Sequence, residues 1–170
     1  AVSRRCEVIV GDCNVEVARI AAMIPRRALT LAFVDPTGLH ARFDTITALS
    51  QRGRVDLLVL FPDAYDIVRN VGLYYKQQDS NLDQVLGGDS NWRQHRDRLV
   101  NRRSDNVRRM FKGLYIEQLR KLGYRKFGEH AVRGPKGALY RLIYASKHER
   151  GLEFWEKISG RNARGQTRMF

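Results

Sequence analysis

Three groups of residues carry side chains and spacings that could do chemistry. The first is Asp35-Pro36-Thr37-Gly38, which follows the apolar run Leu29-Thr30-Leu31-Ala32-Phe33-Val34. Open α/β sheets collect their ligands outside the carboxyl ends of the strands, so Asp35 with Pro36 is a candidate catalytic turn. The same two residues fit a helix start, with Asp35 as cap and Pro36 in the first turn, and the sequence leaves both roles open. The second group, Gly11-Asp12-Cys13, follows the run Cys6-Glu7-Val8-Ile9-Val10 and is either a ligand-facing turn or a capping turn. The third is basic: Arg93, Arg96, Arg98, Arg102, Arg103, Arg108, Arg109 and Lys112 are opposed in that stretch only by Asp97 and Asp105. Guanidinium groups pair well with phosphates, so Arg93, Arg96, Arg102, Arg103, Arg108 and Arg109 form a candidate nucleic-acid surface, against which stands the reading of a solvated helix face.

Other chemistries lose their anchors. His40, His95, His130 and His148 have no metal-ligand spacing, and the two cysteines lack a second pair, so no metal site is expected. Cys6 and Cys13 lie at the two ends of one extended run, which at about 3.3 Å per residue holds them beyond disulfide reach. Neither a Gly-x-Ser-x-Gly elbow nor a Walker-type phosphate loop occurs, which removes the usual hydrolase and nucleoside-triphosphatase signatures. Tyr74-Tyr75 and Phe154-Trp155 are read as core or interface aromatics.

The chain has 170 residues and is 43% hydrophobic, enough for one core. Lys and Arg total 31 against 18 Asp and Glu, a net charge of +13 that would draw nucleic acid or another anionic partner without specifying a fold. No apolar run approaches the roughly 20 residues that span a bilayer, and the start leads straight into strand-like sequence, so a reduced, cytoplasmic, soluble protein without a membrane partner is expected. One domain over residues 1–160 followed by a basic tail over 161–170 is the expected organisation.

The elements that would position these residues alternate. Residues 6–10 and 29–34 read as strands. A helix over 15–24, capped by Asn14 and closed by Pro25, follows the first, and a helix carrying Phe43, Ile46 and Leu49 and ending at Gly53 follows the second. Val55-Asp56-Leu57-Leu58-Val59-Leu60-Phe61 is nearly continuous in apolar residues, as a strand covered on both faces should be, and Pro62-Asp63 opens a helix around Ile67, Val68 and Val71. Three such units in series predict a parallel sheet. Residues 77–105 read as a polar excursion with few apolar anchors. Asn106 then caps an amphipathic helix through Leu122, and strands over 124–132 and 139–146 flank a turn in an antiparallel hairpin. The last helix is expected near 152–158.

Strands ending in Gly-Asp and in Asp-Pro-x-Gly, a third strand and a terminal hairpin together resemble the later half of a class I S-adenosylmethionine-dependent methyltransferase. More specifically, residues 31–39, residues 55–62 with Arg69-Asn70, Gly88 with Asn91-Trp92, and Leu142-Ile143-Tyr144-Ala145-Ser146-Lys147-His148 with Phe154-Trp155 resemble the three-Cys-motif partner family, TcmP. The resemblance spans most of the chain. It implies a Rossmann-like α/β fold with a mostly parallel sheet, S-adenosylmethionine as cofactor, and a three-cysteine-motif protein as partner. It also implies a role for Asp12 and Cys13 at the cofactor's adenine, and for Asp35 with Pro36 in accepting hydrogen bonds from a target amine. The turn reads Thr37-Gly38 where amine-methylating relatives of the fold carry a second proline and an aromatic.

In that fold the strands are ordered three-two-one-four-five-seven-six, and the cofactor's methionine end rests on a glycine-rich turn after the first strand. No such turn occurs here, and the five runs correspond to strands three to seven. The expectation is therefore a fragment of a longer protein, consistent with the absence of an initiator Met, with the missing strands supplied by an N-terminal segment or a partner chain. The alternative reading is a non-catalytic scaffold of the same fold that binds nucleic acid or an acidic protein.

Overall fold

The computed structural model describes residues 6–135 and 137–159. Its centre is a four-stranded mixed sheet in the order β1-β2-β4-β3, built from β1 (Thr30–Val34), β2 (Val55–Phe61), β3 (Lys126–Gly134) and β4 (Gly137–Ser146). β1 and β2 pair in parallel from Thr30↔Val55 to Val34↔Val59. β4 runs antiparallel to both β2 and β3, with Leu57 opposite Ala145 and Lys126 opposite Ser146. The protein is thus α/β, but the sheet has one parallel pair and two antiparallel ones, which corrects the expectation of a mostly parallel sheet.

The reason lies in the first apolar run. Residues 6–10 form no strand, and Val8 and Val10 are 80% and 91% exposed. A strand needs a neighbour to satisfy its backbone N–H and C=O groups, and no described strand pairs with this segment. The predicted series of three parallel units therefore reduces to one crossover, β1 to β2 through α2 (Phe43–Ser50).

One face of the sheet carries the core. Val55, Leu57, Val59 and Phe61 alternate inward along β2, as the period of two dictates, and meet Ile46 of α2 and Phe111 and Leu119 of α6 (Ser104–Lys121). Phe61 stacks on Tyr115 with ring centroids 4.8 Å apart, and the buried Tyr124 hydroxyl donates to the Val55 carbonyl at 3.0 Å. α6 starts at Ser104, two residues ahead of the predicted cap, and Asn106 instead donates from its side chain to the Asn101 carbonyl.

The stretch 77–105 is not an unanchored excursion. After α3 (Val68–Lys76) it folds into α4 (Asn81–Leu86) and α5 (Trp92–Asp97), which bury Leu82, Leu86 and Trp92 against α6. Ser80 and Asp83 form a reciprocal capping box. That Ser-x-x-Asp signature, with Leu82, Val85 and Leu86 at helical spacing, was the local signal for the element.

The opposite face is covered only in part. α7 (Glu149–Ser159) lays Trp155 on Tyr144, the rings stacked at 5.4 Å and 8°, over the β3-β4 hairpin. Phe33 pairs in register with Leu58, and Leu58 with Tyr144, so all three share the α7 face. Leu31 and Phe33 nevertheless remain 58% and 57% exposed, and the outer edge of β1 has no partner among the described residues. The predicted tail over 161–170 lies outside the described residues.

Candidate functional site

Beyond the carboxyl ends of β1 and β2 lies an open cleft of about 570 Å³, bordered by Gly38, Leu60, Pro62, Asp66, Asn70 and Tyr140. Each strand contributes by ending there. After β1 the chain turns through Asp35-Pro36-Thr37-Gly38, and Gly38 adopts φ +80°, a left-handed conformation that glycine takes without strain. α2 begins only at Phe43 with Arg42 in the cap position, so Asp35 does not cap that helix and the structural role weighed for Asp35-Pro36 is not realised. Asp35 is exposed and Pro36 half-buried, and it is their neighbours Thr37 and Gly38 that line the cleft.

After β2 comes a single π-helical turn, Asp63–Ile67, in which the Ile67 amide donates to the Pro62 carbonyl at 3.2 Å. Such wide turns interrupt the helical spacing and often occur at functional sites. Asp66 in this turn borders the cleft. Its Oδ1 accepts from Asn70 Nδ2 at 2.9 Å and from the Tyr74 hydroxyl at 2.7 Å, a stripe at four-residue intervals along one helix face. Its Oδ2 points toward Gly38: a Cβ on residue 38 would stand 2.9 Å from it. Burial first, and the bond to Asp66 second, push the Tyr74 phenol up to about 12, so it remains a donor throughout the physiological range.

A chain of ion pairs fixes this corner. Asp63, almost wholly buried, accepts from Arg141 Nε at 3.1 Å; Arg141 also meets Glu129 at 3.1 Å, and Glu129 meets Lys112 at 2.9 Å. The π-helical turn, the hairpin and α6 are thereby held together, and with them the cleft wall carrying Tyr140.

Gly11-Asp12-Cys13 is brought alongside but not into the cleft. Asp12 caps α1 (Cys13–Met23) by accepting from the Asn14 amide at 2.8 Å, so the capping role predicted for Asn14 belongs to Asp12. Asn14 instead reaches across to the segment after β1, donating to the His40 carbonyl and accepting from the Arg42 amide and the Thr45 hydroxyl. That staple sets the exposed Asp12 and Cys13 beside the segment leaving β1, though neither side chain lines the cleft.

The basic residues divide. Arg93 is an internal tie: its guanidinium donates to both oxygens of Asp83 and to the carbonyls of Tyr74, Tyr75 and Gln77. Arg96 lies over the Tyr75 ring at 4.5 Å, and half-buried Arg108 meets Asp105 at 3.7 Å. Arg102, Arg103 and Arg109 are exposed, Arg102 with Asp97 at 3.8 Å. Six residues close together in the sequence are therefore not one surface of equivalent cations.

Asp66 and Tyr140 were not singled out from the sequence. The Asp66, Asn70, Tyr74 stripe was the available signal, but only the tertiary fold brings it opposite Gly38. No protein-family model matches this chain, and neither a curated protein nor a solved structure matches it.

Proposed function

We propose that this chain is the acceptor-side half of a class I methyltransferase-like fold of the three-Cys-motif partner family, acting on nucleic acid or a nucleic-acid-associated substrate. One observation carries the reading. If β1, β2, β3 and β4 are the fourth to seventh strands of that fold, the order β1-β2-β4-β3 is its four-five-seven-six half, with the last strand inserted antiparallel before the sixth. The cleft at the carboxyl ends of β1 and β2 then falls where such folds take their substrate.

The fit to S-adenosylmethionine is partial. Exposed Asp12 at the start of α1 offers a carboxylate to an adenine amine, and Asn14 holds that turn beside the segment after β1. The described residues offer no cradle for the methionine end. The cofactor is therefore held only together with the strands and glycine turn of a preceding segment or a partner chain, which would also pair with the open edge of β1 and cover Leu31 and Phe33. Calorimetric titration of S-adenosylmethionine and S-adenosylhomocysteine into the longest natural form of the protein tests this. Binding that Asp12→Ala weakens is the expected result, and no heat of binding to that form overturns it.

A second reading, a non-catalytic scaffold that holds nucleic acid, is favoured by exposed Arg102, Arg103 and Arg109 on a chain of net charge +13. Removing one cation from a phosphate lowers the slope of log affinity against log salt by roughly 0.7–0.9. Replacing these three arginines by Ala is thus expected to flatten the salt dependence by about two. An unchanged slope removes the arginines from any nucleic-acid surface.

A further inference from the structure

The cleft has a chemical polarity of its own. The outside of the protein is strongly basic, yet the side chain that reaches the cleft from the π-helical turn is a carboxylate, Asp66. Its two oxygens are not equivalent. Oδ1 accepts two hydrogen bonds, from Asn70 and from Tyr74, which fix the carboxylate plane. Oδ2 lies close against Gly38, whose lack of a side chain makes room for it and whose φ of +80° would strain any other residue. A carboxylate oxygen accepts hydrogen bonds and repels anions. Leu60, Pro62 and Leu139 give the cleft an apolar wall, with Tyr140 on the hairpin side, while Thr37, Arg69 and Asn70 complete the lining. At about 570 Å³ the space falls within the range of small-molecule sites.

We propose that this cleft takes an amino-bearing planar heterocycle of the cytosine or adenine kind, packed on Leu60, Pro62, Leu139 and Tyr140, with its exocyclic N–H donating to Asp66 Oδ2. Asp66 is then the group that selects the ring, in place of the Asp35 expected from the sequence. The Tyr74 and Asn70 bonds to Oδ1 orient the carboxylate and do not touch the ligand. The assignment deepens the reading of this cleft as the acceptor side and rests on it.

The test uses cytidine and adenosine, each against its riboside lacking the exocyclic amine, titrated into the full chain and followed by amide chemical shifts without any cofactor. Cytidine or adenosine is expected to move the amides of Gly38, Asp66 and Tyr140, and the desamino ribosides to bind about tenfold more weakly or worse. Asp66→Asn is expected to weaken the amino nucleosides by a similar factor, while Tyr74→Phe, which strips only Oδ1, keeps binding within about threefold. Thermal unfolding of both variants establishes that they are folded. Equal binding of amino and desamino ribosides overturns the assignment, as does an unaffected Asp66→Asn or shifts confined to Gly11, Asp12 and Cys13. Because no cofactor is present, failure here is independent of the S-adenosylmethionine titration, whose failure would instead remove the methyltransferase reading and leave the amine result standing.

Discussion

Asp83 joins three elements through one carboxylate. It accepts from the Ser80 amide and hydroxyl, from Trp92 Nε1 at 2.6 Å and from both terminal nitrogens of Arg93, whose remaining donors reach the end of α3. Burial alone would raise its pKa, but the bonds from Arg93, Ser80 and Trp92 outweigh it and hold the group at about 2. A carboxylate depressed in the folded state stabilises the fold above its unfolded value of 3.8, and that contribution is lost as the pH falls through the folded value. Asp83→Asn is therefore expected to cost about 1–3 kcal/mol at pH 7. The difference from the unsubstituted protein should shrink as the pH drops from near 4 toward 2, read from urea unfolding at several pH values. A difference that is flat across this range would remove Asp83 as the acid-sensitive contact.

At the scale of elements, the docking of α7 depends on two close approaches that admit no side chain. A Cβ on Gly128 in β3 would overlap the Trp155 indole, and one on Gly151 would overlap the Ser146 and Tyr144 side chains. Tyr144, on whose ring Trp155 stacks, donates from its hydroxyl to Asp56 at 2.5 Å and so ties β4 to β2 on this face. Gly128→Ala should displace Trp155 and cost about 1–3 kcal/mol, the usual range for overpacking. Because α7 packs on β3 and β4 and on little else, its amides should exchange markedly faster in this variant while those of α6 stay protected, by hydrogen exchange. Uniform loss of protection would mean that α7 is integral to the core.

For the whole molecule, the asymmetry of the sheet is the dominant feature: one face carries the core, while among the described residues the other leaves Leu31 and Phe33 exposed and the edge of β1 without a partner. Exposed apolar strands with free backbone groups pair readily with other chains. Leu31→Lys with Phe33→Lys should leave the unfolding midpoint nearly unchanged, within about 0.5 kcal/mol, because neither side chain is in the core. The same pair should reduce binding of a hydrophobic dye and self-association measured by light scattering. Severe destabilisation would place these side chains in the core and overturn the account of an open face.

The sequence by itself determined the elements whose signal is local: the alternating run of β2, the helical spacing of α6 from Val107 to Leu119, the glycine and proline turn between β3 and β4, and the Asp-Pro-x-Gly turn that ends β1. Even the terminal hairpin and the Asp35 turn were legible because backbone sterics and side-chain period act within a few residues. Residues 6–10 show where that stops. Their β-branched pattern is that of a strand, yet a strand exists only when a neighbour completes its ladder, and none of the described strands does. The capping box at Ser80 was written in the sequence, whereas Arg93 read as a surface cation because nothing local says that Asp83 and three carbonyls converge on it. The cleft belongs to the tertiary structure in the same way. Asp66, Gly38 and Tyr140 lie on three different segments of the chain, and only strand pairing and the width of one π-helical turn decide that they border one cleft.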